Sequence, residues 1–133
     1  MQTDEGFAAT PAFVRGDRRR REVLGGGHVA SSNAELSPLR RAWRQHSTEV
    51  AWGQVWDRPN LDLRGRCIAT LSVLAALGLV DEVRIHINGA LRQGLSPEEL
   101  LEVFIQVGAY AGVPRAATAI GCLDEIAVES GPS

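Results

Sequence analysis

The chain has 133 residues with a formal net charge of −2, 44% hydrophobic and 5% aromatic residues, a size that suits one domain able to bury a core and to gain stability by association. Its basic residues concentrate in one run, Arg15 to Arg21 with Asp17 inside it, which reads as a solvated helix start or arm and leaves no broad face for nucleic acid. The longest apolar stretch, Cys67 to Val80, falls short of the roughly twenty residues of a membrane span, and no apolar segment follows the N-terminal charges, so a soluble, cytoplasmic protein with no membrane partner is expected.

Apolar residues recur at three- and four-residue spacing throughout, which predicts an all-α chain with no strand. Asp17 to Leu24 can form a short helix stopped by Gly25, Gly26 and Gly27, followed by a mobile connection. Residues 1–16 are expected as a flexible N-terminal arm, 17–129 as the helical domain and 130–133 as a frayed tail. A second helix starts near Ser37-Pro38 and runs to about Trp56, before Arg58-Pro59 breaks it.

Asp62 is an N-cap for a third helix whose Ile68, Leu71, Val73, Leu74 and Leu77 make it apolar nearly all round, the pattern of a buried central element. Gly78 closes it. From Val80 to Leu91 a stripe of Val80, Val83, Ile87 and Leu91 runs beside Glu82 and His86, which stand one turn apart. Gly94 ends that helix, and Ser96-Pro97-Glu98-Glu99 forms a capping box opening the helix of Leu100, Val103, Phe104 and Val107. Gly112-Val113-Pro114 then turns into a last helix to about Val128. Cys67 and Cys122 make no CxxC and read as reduced, small buried hydrophobes.

Two segments carry the strongest signal: AWGQVWDRPNL from Ala51 to Leu61, and QVGAYAGVPRA from Gln106 to Ala116. With REVLGGGHV (Arg21 to Val29), RGRC (Arg64 to Cys67), LAALG (Leu74 to Gly78) and IHINGALRQGLSPEELLEVF (Ile85 to Phe104), in that order and spacing, the chain resembles the carboxymuconolactone decarboxylase family. The resemblance is close to the family's founding branch, the γ-carboxymuconolactone decarboxylases of aromatic acid breakdown. The resemblance implies an alkyl hydroperoxidase D-like bundle of about six helices. It also implies a homo-oligomer, a trimer or hexamer, with pockets near subunit contacts.

The implied substrate is an acidic lactone, 4-carboxymuconolactone, which would lose carbon dioxide to give the 3-oxoadipate enol-lactone. The electrons left behind spread through the ring double bond onto the lactone carbonyl, giving a dienolate that is then protonated on carbon. No metal and no organic cofactor is required. The protein must hold carboxylates, place donors at the developing oxyanion and deliver one proton.

His86 is the expected proton donor or enolate stabiliser, since imidazole titrates near neutral pH and IHINGAL matches the family's histidine-bearing helix. Glu82, four residues earlier, either orients that ring or is an exposed helix carboxylate. Arg66 falls on the arginine of the family's RGRC and suits a fork to a substrate carboxylate, with Arg64 two residues before it; otherwise Arg66 pairs with Glu49 or Glu102. Tyr110 either points its hydroxyl into the pocket or bonds locally. Trp52 and Trp56 share a face and either pack or line the pocket. His28, after the glycines, can reach over a neighbour's site.

Two positions depart from the decarboxylase branch. Gln54 stands where that branch usually has glutamate, and Gln106 where it often has histidine. The CxxC of the peroxidase branch is absent, its positions being Leu79 and Glu82, and Cys67 replaces an upstream glutamate, which argues against dithiol chemistry. Three functions are therefore carried forward: the lactone decarboxylase; a diverged biosynthetic enzyme using an enolate of another acid for decarboxylation, cyclisation or isomerisation; and a noncatalytic oligomeric protein that binds small acids.

Overall fold

A computed structural model describes residues 1–129; the expected tail, 130–133, lies outside them. Among the described residues there are seven α-helices and one π-helical run, against the six or so helices expected, and the only β feature is an isolated bridge between Gln2 and Ala8. The chain divides into two compact units, Met1–Leu61 and a second from Asp62 onward.

In the first unit, helix α1 spans Pro11–Leu24, six residues earlier than the expected start at Asp17. Thr10 is the reason: its hydroxyl accepts from Phe13 N at 3.1 Å, and Pro11 takes the first helical position, where a missing N–H costs nothing. Residues 1–10 are folded against the unit. Phe7 is 1% exposed, stacks on Phe13 with ring centroids 5.0 Å apart, and lies under the Arg41 guanidinium at 4.7 Å. Burial of an aromatic ring of this kind stabilises by roughly 2–3 kcal/mol, and the hydrogen bonds of Gln45 with both Ala8 N and Ala8 O, and of Arg41 with Glu5 O, add to what anchors a segment that sequence patterning reads as an arm.

Only Gly25 among the three glycines takes a positive φ, +92°, and ends α1. Gly26 and Gly27 open helix α2, Gly26–Asn33, in place of the expected mobile connection. Helix α3, Pro38–Ser47, is capped by Ser37 as expected and continues into a π-helical run, Thr48–Trp56. The arginine run is paired rather than merely solvated. Arg19 bridges Glu22 and Asp57, each at 2.9 Å, and Arg21 holds Asp17 at 2.9 Å together with Glu5. Arg20 turns inward, and both it (3.0 Å) and Arg44 (2.6 Å) donate to Asn33 Oδ1. Burial first, and then Arg44, brings the Arg20 guanidinium down to about 10.

In the second unit, helix α4 is Leu63–Leu77, with Asp62 Oδ1 accepting from Gly65 N at 2.7 Å. Gly78, at φ +72°, closes it through Leu79 N to Leu74 O at 3.1 Å. Helices α5 (Val80–Arg92), α6 (Pro97–Ala111) and α7 (Val113–Glu129) follow. Both halves of the capping box form, Glu99 N to Ser96 Oγ and Ser96 N to Glu99 Oε1, each at 3.0 Å. Helix α4 packs on α5, α6 and α7, and α7 also packs on α5 and α6. Leu71, Ile87, Leu100 and Phe104 are each fully buried in this core.

Helix α4 is not buried all round. Cys67, Leu71 and Ala75 face inward at four-residue spacing, whereas Val73 is 57% and Leu77 61% exposed. Three neighbours cannot cover every face of one helix, so its apolar surplus remains on the surface.

Candidate functional site

Within the second unit, α5 carries His86 on its inner face with Val83 and Ile87, and the histidine is 8% exposed. The stripe that buries Val83 and Ile87 draws His86 in with them, because all three lie within four residues on one side of the helix. Glu82, one turn earlier, faces solvent. Arg66 lies half-buried in the first turns of α4, the helix packed against α5. Arg64 points elsewhere: its guanidinium donates to Glu99 Oε2 at 2.7 Å, an exposed ion pair. Glu99 thus closes the capping box with one oxygen and takes Arg64 with the other. The Ser96 N–H foremost, with Arg64 behind it, holds the Glu99 carboxyl below the usual carboxylate range.

Gln106 and Tyr110 come together. They stand four residues apart on α6 and line an open cavity of about 230 Å³ with Ser72, Ala76, Val107 and Ala111. No residue of α5 lines that cavity, so these two side chains form a group apart from His86. Its walls are apolar and its polar groups neutral, an amide, a phenol and a hydroxyl. Tyr110 is 87% exposed and reaches into solvent from the cavity edge. Sequence reasoning missed Ser72 and Ala76, and no local signal marks them, since α4 carries other small residues such as Gly65, Ala69 and Ala75.

In the first unit, Trp52 and Trp56 are buried and stacked on each other, centroids 4.7 Å apart and planes 19° from parallel. That is the packing alternative. Gln54 lies between them in sequence and is exposed. His28 belongs to α2 rather than to a mobile arm, with Nε2 3.4 Å from Ser32 Oγ.

Both cysteines are buried and reduced, and burial pushes the Cys67 thiol up to about 11, which keeps it protonated at neutral pH. Among the described residues no three His, Cys, Asp or Glu side chains gather as a metal site, and no helix is long and apolar enough to cross a membrane.

The sequence profile described as the Carboxymuconolactone decarboxylase family matches residues 41–125, a stretch that takes in α4, α5, α6 and His86. The chain belongs to that family. It is 34% identical over 114 residues to a 4-carboxymuconolactone decarboxylase of Acinetobacter baylyi, covering 86% of this chain and 85% of that protein. It is also 32% identical over 102 residues to a nitrosuccinic acid decarboxylase of Metarhizium robertsii, covering 77% of this chain and 71% of that one. The family membership and all-helical fold expected from the sequence therefore hold.

Proposed function

We propose that the protein is a decarboxylase of a small carboxylated acid, working without metal or organic cofactor, with 4-carboxymuconolactone or a close analogue as substrate. The observation that carries this reading is the buried His86 on α5, inside the stretch matched to a family two of whose members are named decarboxylases. Decarboxylation needs a place for the electron pair released as carbon dioxide leaves. In a carboxylated lactone that place is the lactone carbonyl oxygen, through the ring double bond. His86 stabilises the dienolate and supplies the proton to carbon, and a site shielded from water strengthens both effects. Arg66 holds a substrate carboxylate through its fork. Gln106 and Tyr110 offer neutral donors, and Gln54, on the first unit, is likewise assigned as an amide donor to an acid group. Glu82, Arg64, Trp52 and His28 support the reading less, being solvent-facing, ion-paired, stacked in a core or on an exposed helix.

A second reading has a specific observation behind it. The nitrosuccinic acid decarboxylase is nearly as similar as the lactone enzyme, and nitrosuccinic acid poses the same electronic problem, since the pair left by a carboxylate beside a nitro carbon spreads onto nitro oxygens. With Gln54 and Gln106 as amides, a diverged enzyme acting on such an acid is the alternative. Carbon dioxide release from purified protein, offered 4-carboxymuconolactone and nitrosuccinate in parallel, tests both. Release from the lactone alone supports the first reading, release from the nitro acid alone the second. Binding of either acid with no release leaves a noncatalytic binding protein and overturns both.

Self-association belongs to the same proposal. Val73, Leu77 and Ile105 each expose about half or more of their surface, an apolar surplus of the sort that subunit contacts remove from water. Light scattering on the eluting peak is expected to give more than one chain mass; a monomer at micromolar concentration would defeat it.

A further inference from the structure

The run Thr48–Trp56 holds π-helical geometry for nine residues, where π turns ordinarily occur singly and cost hydrogen-bond geometry. Something outside the run must hold it. In π register the Thr48 carbonyl faces the N–H of Gly53, five residues on. A Cβ built on Gly16 of α1 would overlap Thr48 O and stand 2.8 Å from Gly53 N and 2.9 Å from Thr48 C. The absent side chain of Gly16 thus lies directly over the Thr48–Gly53 pair. Reciprocally, a Cβ on Gly53 would overlap the Ala12 carbonyl oxygen and stand 3.1 Å from its carbon. Two backbones meet through two glycines.

The register has a chemical consequence. The wider π turn brings Glu49 as well as Val50 to the turn before Gln54, whereas α spacing would set only Val50 and Ala51 there. Glu49 is half-buried, and its carboxylate accepts from the Thr10 hydroxyl, which also caps α1. In π register a glutamate thus lies one turn from position 54, where the residue itself is an amide.

We propose that Gly16 is a positioning residue that holds Thr48–Trp56 in π register and so sets Glu49 one turn from Gln54 for the reaction. For its kinetic part this rests on the reading of Gln54 as a substrate-binding amide given above. The register part stands alone.

The experiment has two arms. In uniformly labelled protein, nitrogen–carbon couplings across hydrogen bonds report which carbonyl Gly53 N pairs with; Thr48 is expected, and Glu49 would overturn the proposal without any substitution. The second arm compares Gly16→Ala with Gly26→Ala, a control whose added Cβ meets nothing within 4 Å. In folded Gly16→Ala, the Thr48 coupling should vanish and kcat should fall about tenfold to a hundredfold, the scale of an ångström-sized displacement; Gly26→Ala should keep both. A folded Gly16→Ala with unchanged coupling and kcat overturns the proposal. Should Gly16→Ala not fold while Gly26→Ala does, the close approach at Gly16 is upheld and the coupling in the unsubstituted chain decides the register; if both fail to fold, the special place of Gly16 is overturned. If the unsubstituted protein releases no carbon dioxide from any acid, the functional proposal fails while the coupling arm still judges the register.

Discussion

Replacing Gly78 by alanine separates two costs that coincide at the turn between α4 and α5. Gly78 sits at φ +72°, and an added Cβ would overlap Arg115 Nη1 and stand 2.8 Å from its Cζ. Left-handed backbone costs an L-residue roughly 1–2 kcal/mol. Alanine also restricts the unfolded chain, which returns about 0.4–1 kcal/mol. The clash is with the far end of a flexible side chain, which can swing into solvent at little cost. Backbone conformation should therefore dominate, with a net loss of about 1 kcal/mol. For a chain of this length that is a fall in Tm of about 3–6 °C. Thermal and denaturant melts of Gly78→Ala, Gly78→Asn and the double variant with Arg115→Ala measure it. Asparagine, which tolerates this region better, should lose less, and removing Arg115 should restore no more than about 0.5 kcal/mol. Full rescue by Arg115→Ala would show that the clash, not φ, sets the cost.

Three further outcomes are expected. His86→Gln should keep the fold and lower kcat by about a hundredfold or more with KM little changed, since a proton donor is lost and an amide of similar reach replaces it; steady-state kinetics on a folded variant with full turnover would remove His86 from the mechanism. Restoring ionisable groups with Gln54→Glu and Gln106→His together should raise turnover of 4-carboxymuconolactone, by up to about a hundredfold if general acid catalysis was lost at these positions, and no gain in the double variant would count against divergence. Because the folded protein holds the Glu99 carboxyl below its unfolded value, its stabilising effect is present above the ordinary carboxylate range and is lost as pH falls through the lower, folded value. Melts taken across acid pH should thus show a steeper decline for the unsubstituted chain than for Glu99→Gln, and parallel curves would refute the linkage.

Helix ends with local chemical signatures were legible in the sequence. Asp62, the Ser96/Glu99 box, Gly78 and Gly112 each act through bonds or dihedrals within a few residues of themselves. The signature Thr10-Pro11 is equally local, but it precedes an arginine run whose charge conceals the inward faces of Phe13, Arg20 and Val23. Three glycines in a row suggested a stop because each can take a positive φ; only Gly25 does so. The π run could not be read from periodicity, because its register answers to Gly16, more than thirty residues away. At the candidate site, the burial of His86 follows from the apolar stripe of α5, and the grouping of Gln106 with Tyr110 follows from their four-residue spacing. Ser72 joins them from another helix, through packing that no local pattern encodes.

The closeness of α1 to the π run also bears on where a working version of this protein can be cut. A polypeptide trimmed to the stretch that the family profile matches would begin at Arg41. It would lack Phe7, over whose ring Arg41 sits, and Asn33, the carboxamide that takes a hydrogen bond from Arg44. It would also lack the helix against which Gly53 closes, leaving a bare glycine backbone on a surface it does not occupy in the intact chain. The bounds of the profile match run through the middle of a core, although the likeness to the Acinetobacter baylyi enzyme reaches beyond them. Recombinant production should start at residue 1, and an insoluble trimmed product would reflect an unroofed helix rather than an unstable family fold.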